Sequence, residues 1–174
     1  MSRLLSLPPV SLLVAPAGLW ISLTLRRYRK QLRPVVELGF ERLGQCYSRD
    51  LLEHARFAPV DRMPVAPALR LWSSLEVSDG IMGLTLRNAY FVRREEVGRE
   101  DLHAHELVHV IQWRLMGERA FLETWLGDEM ERGYRGNRLE RIAYHIQEQF
   151  KRADRRFDAE QRTAELLDQA GLLA

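Results

Sequence analysis

The chain has 174 residues, of which 46% are hydrophobic and 29% charged, and it contains one cysteine. This composition is typical of a single globular domain and argues against a disordered, collagen-like or polytopic membrane chain. The formal net charge of +2 gives no indication of a nucleic-acid partner. A lone cysteine, Cys46, excludes an intrachain disulfide and a cysteine-based zinc cluster.

The N-terminal segment, residues 1–33, differs in composition from the rest of the chain. It has no charge between Leu4 and Leu25, and an apolar stretch of that length can span a bilayer as a helix. Prolines interrupt it, and a basic flank follows at once: Arg26, Arg27, Arg29, Lys30 and Arg33. We therefore expect two parts, an apolar N-terminal segment at 1–33 and a folded domain at 34–174.

Three interpretations of residues 1–33 are open. Membrane association through residues 4–25 would keep the basic flank, and the domain that follows, on the cytoplasmic side. A signal peptide cleaved near Ala15-Pro16-Ala17 would instead place the domain outside the cytoplasm. In the third interpretation the segment is an apolar arm that packs on the domain.

The spacing of apolar residues predicts a helical start to the domain. Residues 34–58 have helical spacing, and Gly44 together with Ser48 predicts a break into two helices, the second capped by Ser48. Residues 59–67 contain three prolines and predict a loop. Residues 70–77 fit a short strand or a helix equally well.

A strand and three helices are predicted in the second half of the chain. Gly83–Arg93 is rich in β-branched and aromatic residues, which predicts a strand with a bend or a bulge at Asn88. Helices are predicted at 102–116, ended by Gly117, and at 120–130. A long charged helix is predicted over 137–167, with one apolar face formed by Leu139, Ile142, Ala143, Ile146 and Phe150. We therefore expect an α+β chain, mostly helical, with a small β-sheet beside the helix at 102–116.

An HExxH motif, His105-Glu106-Leu107-Val108-His109, lies inside the predicted helix at 102–116. Residues four apart on a helix lie one turn apart on nearly the same face, so His105 and His109 can converge on one zinc ion. Glu106 lies about 100° further round, beside the metal, where its carboxylate can act as general base toward a metal-activated water. The motif predicts a zinc metallopeptidase that hydrolyses peptide bonds of a peptide or protein substrate.

A catalytic zinc needs a third protein ligand, with its fourth position left to water. The metzincin pattern requires Gly at position 112 and His at position 115, and this chain has Gln112 and Leu115 there. A glutamate on a later helix is the other common solution, and we favour Glu140 because it lies near the start of the last predicted helix. The alternatives are His145, Asp128 and Glu129.

Other residues near the motif carry weaker signals. Tyr134 and Tyr144 are candidates to stabilise the transition state by donating a hydrogen bond to the oxyanion, although packed core tyrosines would have the same pattern. His103 lies two residues before His105 and therefore faces the other side of the helix. We expect His103 at the surface or at a helix cap.

The stretch from Gly83 to Trp113, with GLTLRNAYFVR and then HAHELVHVIQW, resembles a family of bacterial zincin-like metallopeptidases of unknown function. The hallmark of that family is a TxGxxIYF strand followed by a HELxHVxQ helix. The later GYRGNRLERIAY resembles the family's NPxExEAY segment, in which the glutamate is taken as the third zinc ligand. Arg87 departs from the glycine of the first pattern, and Arg138 departs from the proline of the second.

The resemblance implies a minimal gluzincin-type fold, with a small sheet beside the active-site helix and a C-terminal glutamate helix. It also implies one Zn²⁺ ion held by His105, His109 and Glu140, with Glu106 as general base. A zinc-binding but catalytically inactive interaction or structural module is the alternative hypothesis. A metal-free helical domain is the third.

Overall fold

The computed structural model describes residues 9–66, 80–152 and 156–173. These residues are mostly helical with one small mixed sheet, which confirms the predicted α+β class. The helices are α1 (Val10–Tyr28), α2 (Glu41–Cys46), α3 (Arg49–His54), α4 (Glu100–Arg132), α5 (Arg138–Arg152) and α6 (Ala159–Gln169). Single turns of 3₁₀ helix lie at Val35–Leu38, Arg94–Glu96 and Tyr134–Gly136.

The described part of the sheet has four strands, β1 (Arg33–Pro34), β2 (Arg56–Val60), β3 (Gly83–Leu86) and β4 (Ala89–Arg93). They are ordered β1-β2-β4-β3, with β2 and β4 parallel and the two outer pairs antiparallel. β3 is therefore an edge strand within the described residues, and it packs against α4.

The single strand predicted over Gly83–Arg93 is wrong, because the chain reverses at Arg87 and Asn88 to form the β3–β4 hairpin. Arg87 has a left-handed backbone with φ of 60°, which is uncommon for a residue other than glycine. Its guanidinium donates to both carboxylate oxygens of Glu118, at 2.7 and 3.0 Å. The bend predicted at Asn88 is present, but it is a full chain reversal.

The helices predicted over residues 34–58 are confirmed in part. Ser48 caps α3 as predicted, because its side chain accepts a hydrogen bond from the amide of Leu51 at 3.1 Å. Gly44, however, lies within α2, and residues 56–60, predicted as the end of a helix and the start of a loop, form β2. The predicted loop is confirmed only over residues 61–66. β2 pairs with β4 along its whole length, and this long-range pairing outweighs the local helical pattern.

α4 carries the HExxH motif through the interior of the molecule. Every residue from Leu102 to Trp113 is buried, so this part of the helix is enclosed on all sides. Gly117 interrupts the helical geometry with φ of 76°, a conformation that glycine adopts without strain. The helix end predicted at Gly117 is therefore confirmed as a break between two halves of α4.

The long helix predicted over 137–167 is two helices in the structure. α5 ends at Arg152, and α6 begins at Ala159 after Asp158 accepts a hydrogen bond from the amide of Gln161 at 2.9 Å. Such an N-cap stabilises a new helix start in place of continuation of the preceding helix. The predicted apolar face of α5 is buried, namely Leu139, Ile142, Ala143, Ile146 and Phe150.

α1 packs against α4, and its buried residues are Gly18, Ile21 and Thr24. The approach is close at Gly18, since a Cβ atom there would lie 2.5 Å from Oε1 of Glu118. No helix within residues 9–66, 80–152 and 156–173 is long and apolar enough to cross a membrane. The stretch at 70–77, for which a strand and a helix were equally expected, lies outside the described residues.

Candidate metal centre

Two helices bring the predicted metal ligands together. α4 presents His105 and His109 one turn apart on one face. Asn137 ties the start of α5 to α4, because its side chain donates to the backbone oxygen of Trp125 and accepts from the amide of Leu139, both at 3.1 Å. Glu140, in the first turn of α5, consequently faces the two histidines.

The side chains of His105, His109 and Glu140 converge on one small buried space. The Nε2 atoms of His105 and His109 are 3.1 Å apart. Oε2 of Glu140 lies 3.5 Å from Nε2 of His105 and 3.4 Å from Nε2 of His109. All three residues are buried. Among the described residues, this is the one group of three His, Cys, Asp or Glu side chains whose ligand atoms lie within 4.8 Å of one another.

Gln112 determines which ring nitrogen carries the proton in neutral His109. Its Oε1 lies 2.8 Å from Nδ1 of the imidazole, and its Nε2 donates to the backbone oxygen of Leu139 at 3.0 Å. Because a carbonyl oxygen can only accept, the amide nitrogen faces Leu139 and the amide oxygen faces the ring. Nδ1 of His109 therefore carries a proton, and in the neutral ring Nε2 presents a lone pair to the site.

Gln147 does the same for His105. Its Oε1 lies 3.2 Å from Nδ1 of His105, and its Nε2 donates to the carboxylate of Asp101 at 2.9 Å. The carboxylate is an acceptor, so the orientation of this amide is again determined. Burial alone would raise the pKa of Asp101, but Arg99 and Gln147 lower it, which keeps the carboxylate ionised.

When both rings are neutral, three acceptors therefore meet with no donor among them. They are Nε2 of His105, Nε2 of His109 and Oε2 of Glu140, and Oε2 is buried without any hydrogen bond. Buried acceptors that face one another are unfavourable unless a positive charge lies between them. A divalent cation satisfies all three, and two histidines with one glutamate are a ligand set of catalytic zinc. The residues present therefore fit a metal ion.

The electrostatics of the site also favour a cation. Burial alone would lower the pKa of His109, but the carboxylates of Glu140 and Glu106 raise it from 6.5 to about 9. Burial alone would raise the pKa of Glu140, but the two histidines lower it well below its ordinary value. When no metal is bound, a proton occupies the space between imidazole and carboxylate, so that metal binding displaces a proton.

Glu106 lies beside the three ligands and is held by β3. Its Oε2 accepts a hydrogen bond from the hydroxyl of Thr85 at 2.6 Å. Gly83 leaves space for the carboxylate, because a Cβ atom at that position would overlap Oε1 of Glu106. Burial raises the pKa of Glu106 above its ordinary value, although the histidines and Thr85 act in the opposite direction. A raised pKa makes the carboxylate a better proton acceptor, which suits a general base.

Tyr134 and Tyr144, the predicted transition-state stabilisers, lie together at the edge of the site. Their hydroxyls are 3.3 Å apart, and the ring of Tyr144 packs edge to face on that of His105 with centroids 4.7 Å apart. Tyr144 is 46% exposed and is therefore not a core tyrosine. Burial and the charge of Glu140 raise the pKa of Tyr134, so its phenol stays protonated and able to donate. Their role in catalysis stays a prediction.

The alternative third ligands are not part of the converging group. His145 is exposed. Asp128 is buried, and its carboxylate is bound by Arg138. Burial raises the pKa of Glu129, with a contribution from nearby Glu140, but none of the three alternatives belongs to the converging group.

His103 is buried, so the expectation that it lies at the surface is wrong. Its Nδ1 lies 2.8 Å from the hydroxyl of Tyr90, and its Nε2 lies 2.9 Å from the backbone oxygen of Val97. Both ring nitrogens have partners, so burial leaves neither of them unsatisfied. The β-sheet covers this side of α4, and helical periodicity alone does not reveal which side of a helix is covered.

Four residues around the site belong to none of the predicted roles: Gln112, Gln147, Thr85 and Trp125. Gln112 follows His109 by three positions and Gln147 follows Glu140 by seven, spacings that place each glutamine on the face of the ligand. Their helical spacing from His109 and Glu140 is a sequence signal by which both glutamines could have been predicted. Thr85 on β3 contacts Glu106 on α4, and the indole of Trp125 on α4 donates to Oε1 of Glu140 on α5 at 3.2 Å. Because each contact joins two different elements, neither residue is marked by a local sequence pattern.

Gln112→Ala is expected to weaken zinc binding by about 10–100-fold, the usual effect of removing a group that orients a ligand histidine. Without the amide oxygen, the ring of His109 is free to turn, and its Nε2 faces the metal less often. Chelator competition measures the affinity. Gln149→Ala is the matched control, since Gln149 lies on α5 with none of the contacts described for the site. Equal affinity in Gln112→Ala and wild type would contradict the assigned role.

Asp128 joins the end of α4 to the start of α5. It is 3% exposed and accepts hydrogen bonds from the amide of Arg138 at 2.9 Å, from the guanidinium of Arg138 at 2.8 and 3.1 Å and from Arg132 at 2.5 Å. We expect Asp128→Asn to lower the free energy of unfolding near pH 7 by about 2 kcal/mol. This is below the value for fully buried pairs, because both arginines are exposed enough to regain water.

The effect of Asp128→Asn should depend on pH. Burial alone would raise the pKa of Asp128, but the hydrogen bonds and charges of Arg138 and Arg132 lower it below 3.8. A lowered pKa in the folded state stabilises the protein above the unfolded pKa, and this stabilisation is lost as the pH falls through the folded pKa. Urea unfolding of both proteins near pH 7 and near pH 3 tests this. A difference that stays constant with pH would show that the carboxylate charge has no role.

No protein-family model matches this chain, and comparisons with curated proteins and with solved structures give no significant match. The resemblance to zincin-like metallopeptidases therefore stays a prediction. The geometry and chemistry of the site are the basis for the functional proposal.

Proposed function

We propose that this protein is a zinc-dependent metallopeptidase with one metal ion and a minimal zincin-like fold. The observation that carries the proposal is the convergence of three buried acceptors, from His105, His109 and Glu140, beside the carboxylate of Glu106. Structural zinc sites have four protein ligands, whereas catalytic sites have three and leave one position for water. A set of three ligands with a base beside it supports the catalytic alternative.

Each residue of the site has a role in peptide hydrolysis under this proposal. A bound zinc ion supplies Lewis acidity, which polarises the scissile carbonyl and makes water more acidic. Glu106 accepts a proton from the attacking water and then gives it to the departing amine. Thr85 holds the carboxylate in place for both transfers, and Tyr134 with Tyr144 donates hydrogen bonds to the oxyanion.

The edge of β3 supports a peptide as the substrate class. β3 lies against α4 and holds Glu106 through Thr85, so the edge that β3 leaves unpaired within the described residues is next to the proposed base. An extended peptide can bind to a strand edge through its own backbone. Side-chain specificity would then depend on residues that flank β3.

A zinc-binding but catalytically inactive module is the second candidate. The observation in its favour is that Glu106 and all three ligands are buried, which leaves little surface through which a substrate could reach the metal. A protein of this kind would hold zinc as firmly as an enzyme does. The two candidates differ in turnover and not in metal content.

Cleavage of a mixed peptide library separates the candidates. We would incubate the full-length protein, stripped of metal or loaded with one equivalent of Zn²⁺, with the library and identify products by mass spectrometry. New chain ends that appear only with zinc would support the peptidase. Stoichiometric zinc without cleavage would support the inactive module. Failure to bind zinc after reconstitution would contradict both and favour a metal-free helical domain.

A further inference from the structure

The outward face of α1 carries an apolar stripe. Leu12, Leu19 and Leu23 are 65, 63 and 57% exposed, the three highest values among large hydrophobic side chains in the described residues. At about 100° per residue, they lie within about 40° of one another around the helix. We call these three residues the outer stripe.

The fold already uses the opposite face of α1. Ile21 is buried and points about 180° away from Leu12. With Gly18 and Thr24, it forms the face that packs on the domain. The outer stripe therefore contributes nothing to the core, and exposed leucines lined up along one side of a helix are typical of an interaction surface.

A basic cluster lies at the C-terminal end of the outer stripe: Arg26, Arg27, Arg29 and Lys30. None of the four forms an ion pair within the part of the chain that the structure describes, although Arg27 lies over the ring of Tyr28 at 5.9 Å. Together with Leu23 they line a shallow depression of about 470 Å³. By helical periodicity, Arg26 continues the line of the outer stripe.

We infer that α1 lies flat on an anionic membrane surface, with the outer stripe among the acyl chains nearest the headgroups and the basic cluster on lipid phosphates. A helix with leucines on one face and unpaired cations beside them binds at this interface. The combination selects lipid, because phosphates of a nucleic acid would attract the cations but give the leucines no apolar surroundings. This inference does not depend on the metal site.

The packing of α1 on α4 is compatible with a helix that lies on the membrane surface and not with a helix that spans the membrane. A helix that lies in the interface keeps Ile21 on the protein and places Leu19 in lipid at the same time. A spanning helix would have to leave α4 and give up the close contact between Gly18 and Glu118. The structure therefore favours attachment through one face of α1.

Vesicle flotation of the full-length protein tests the inference. We expect binding to vesicles of phosphatidylcholine with about 30% phosphatidylglycerol, and little binding to phosphatidylcholine alone. Raising the salt concentration should weaken binding, because it screens the basic cluster. Equal binding to both vesicle types, or binding to neither, would overturn the inference.

Variants on α1 test which of its side chains contact the membrane. Leu19→Ser and Leu23→Ser should each weaken binding by about tenfold, and Arg26→Glu should weaken it by at least about fivefold. The matched controls are Leu115→Ser, an exposed leucine on α4, and Arg62→Glu, an exposed arginine in a loop, which should bind as wild type does. Because all these side chains are exposed, unfolding midpoints should stay unchanged.

Two further outcomes would overturn the inference. Protein that stays on vesicles after alkaline carbonate extraction would be inserted across the bilayer. A concentration-dependent dimer that dissociates in Leu19→Ser, in a protein that binds no vesicles, would show that the outer stripe contacts a second copy of the chain. Sedimentation velocity without lipid detects such a dimer.

Discussion

Glu140→Gln is expected to remove zinc from the protein while leaving its fold intact. The amide keeps the shape of the side chain, and its oxygen can still accept the hydrogen bond from the indole of Trp125. The substitution removes the negative charge that faces Nε2 of His105 and His109. Zinc-finger sites bind zinc with about 10–16 kcal/mol shared among four ligands, so losing one ligand costs about 3 kcal/mol, or about 10²-fold in affinity.

Elemental mass spectrometry of the purified, dialysed full-length protein measures this loss, and chelator competition gives the change in affinity. Glu148→Gln is the matched control, because it removes the same charge two turns further along α5 and outside the site. His109→Ala should lose zinc as Glu140→Gln does. Zinc lost in His109→Ala but retained at wild-type affinity in Glu140→Gln would mean that another residue completes the site.

The part of the site that depends on local geometry could be predicted from the sequence. HExxH spacing places His105 and His109 on one face because a helix repeats within a few residues. Glu140 lies on a different helix, and its selection depended on a position near a helix start and on a resemblance. In the structure, Asn137 supplies the missing physical link, since it anchors that helix start to α4.

The features that the sequence did not reveal depend on contacts between distant segments. The sequence predicts a helix up to residue 58 and a loop from residue 59, yet residues 56–60 form β2 because β4 offers a parallel partner. Arg87 reverses the chain in a left-handed conformation and is bound there by Glu118 on α4. Neither partner is within a helical turn or a hairpin loop of the residue that it affects, so local patterns carried no information about them.

The support of the general base also combines a local pattern with contacts between distant segments. A glutamate within HExxH can be assigned as general base from the motif, but the motif does not show what holds its carboxylate. The hydroxyl of Thr85 does so from β3, and Gly83 on the same strand leaves the space that the carboxylate occupies. This support makes Glu106 the residue at which metal binding and hydrolysis can be separated most cleanly.

Glu106→Gln is expected to slow peptide hydrolysis severely and to leave zinc binding unchanged. Glutamine has nearly the same shape, and its amide oxygen can still accept the hydrogen bond from Thr85. Its amide cannot take up a proton from water, so the step assigned to the general base is lost. General bases contribute about 10²–10⁴-fold to rate, and we expect kcat to fall by a factor in this range while KM changes little.

Thr85→Val keeps the carboxylate of Glu106 but frees it to move, so the loss in kcat should be smaller than in Glu106→Gln. Peptide cleavage assays and zinc content of the same preparations test both variants against Glu123→Gln, a surface control on α4. Full activity in Glu106→Gln would refute the mechanism, and loss of zinc in this variant would show instead that the carboxylate takes part in holding the metal.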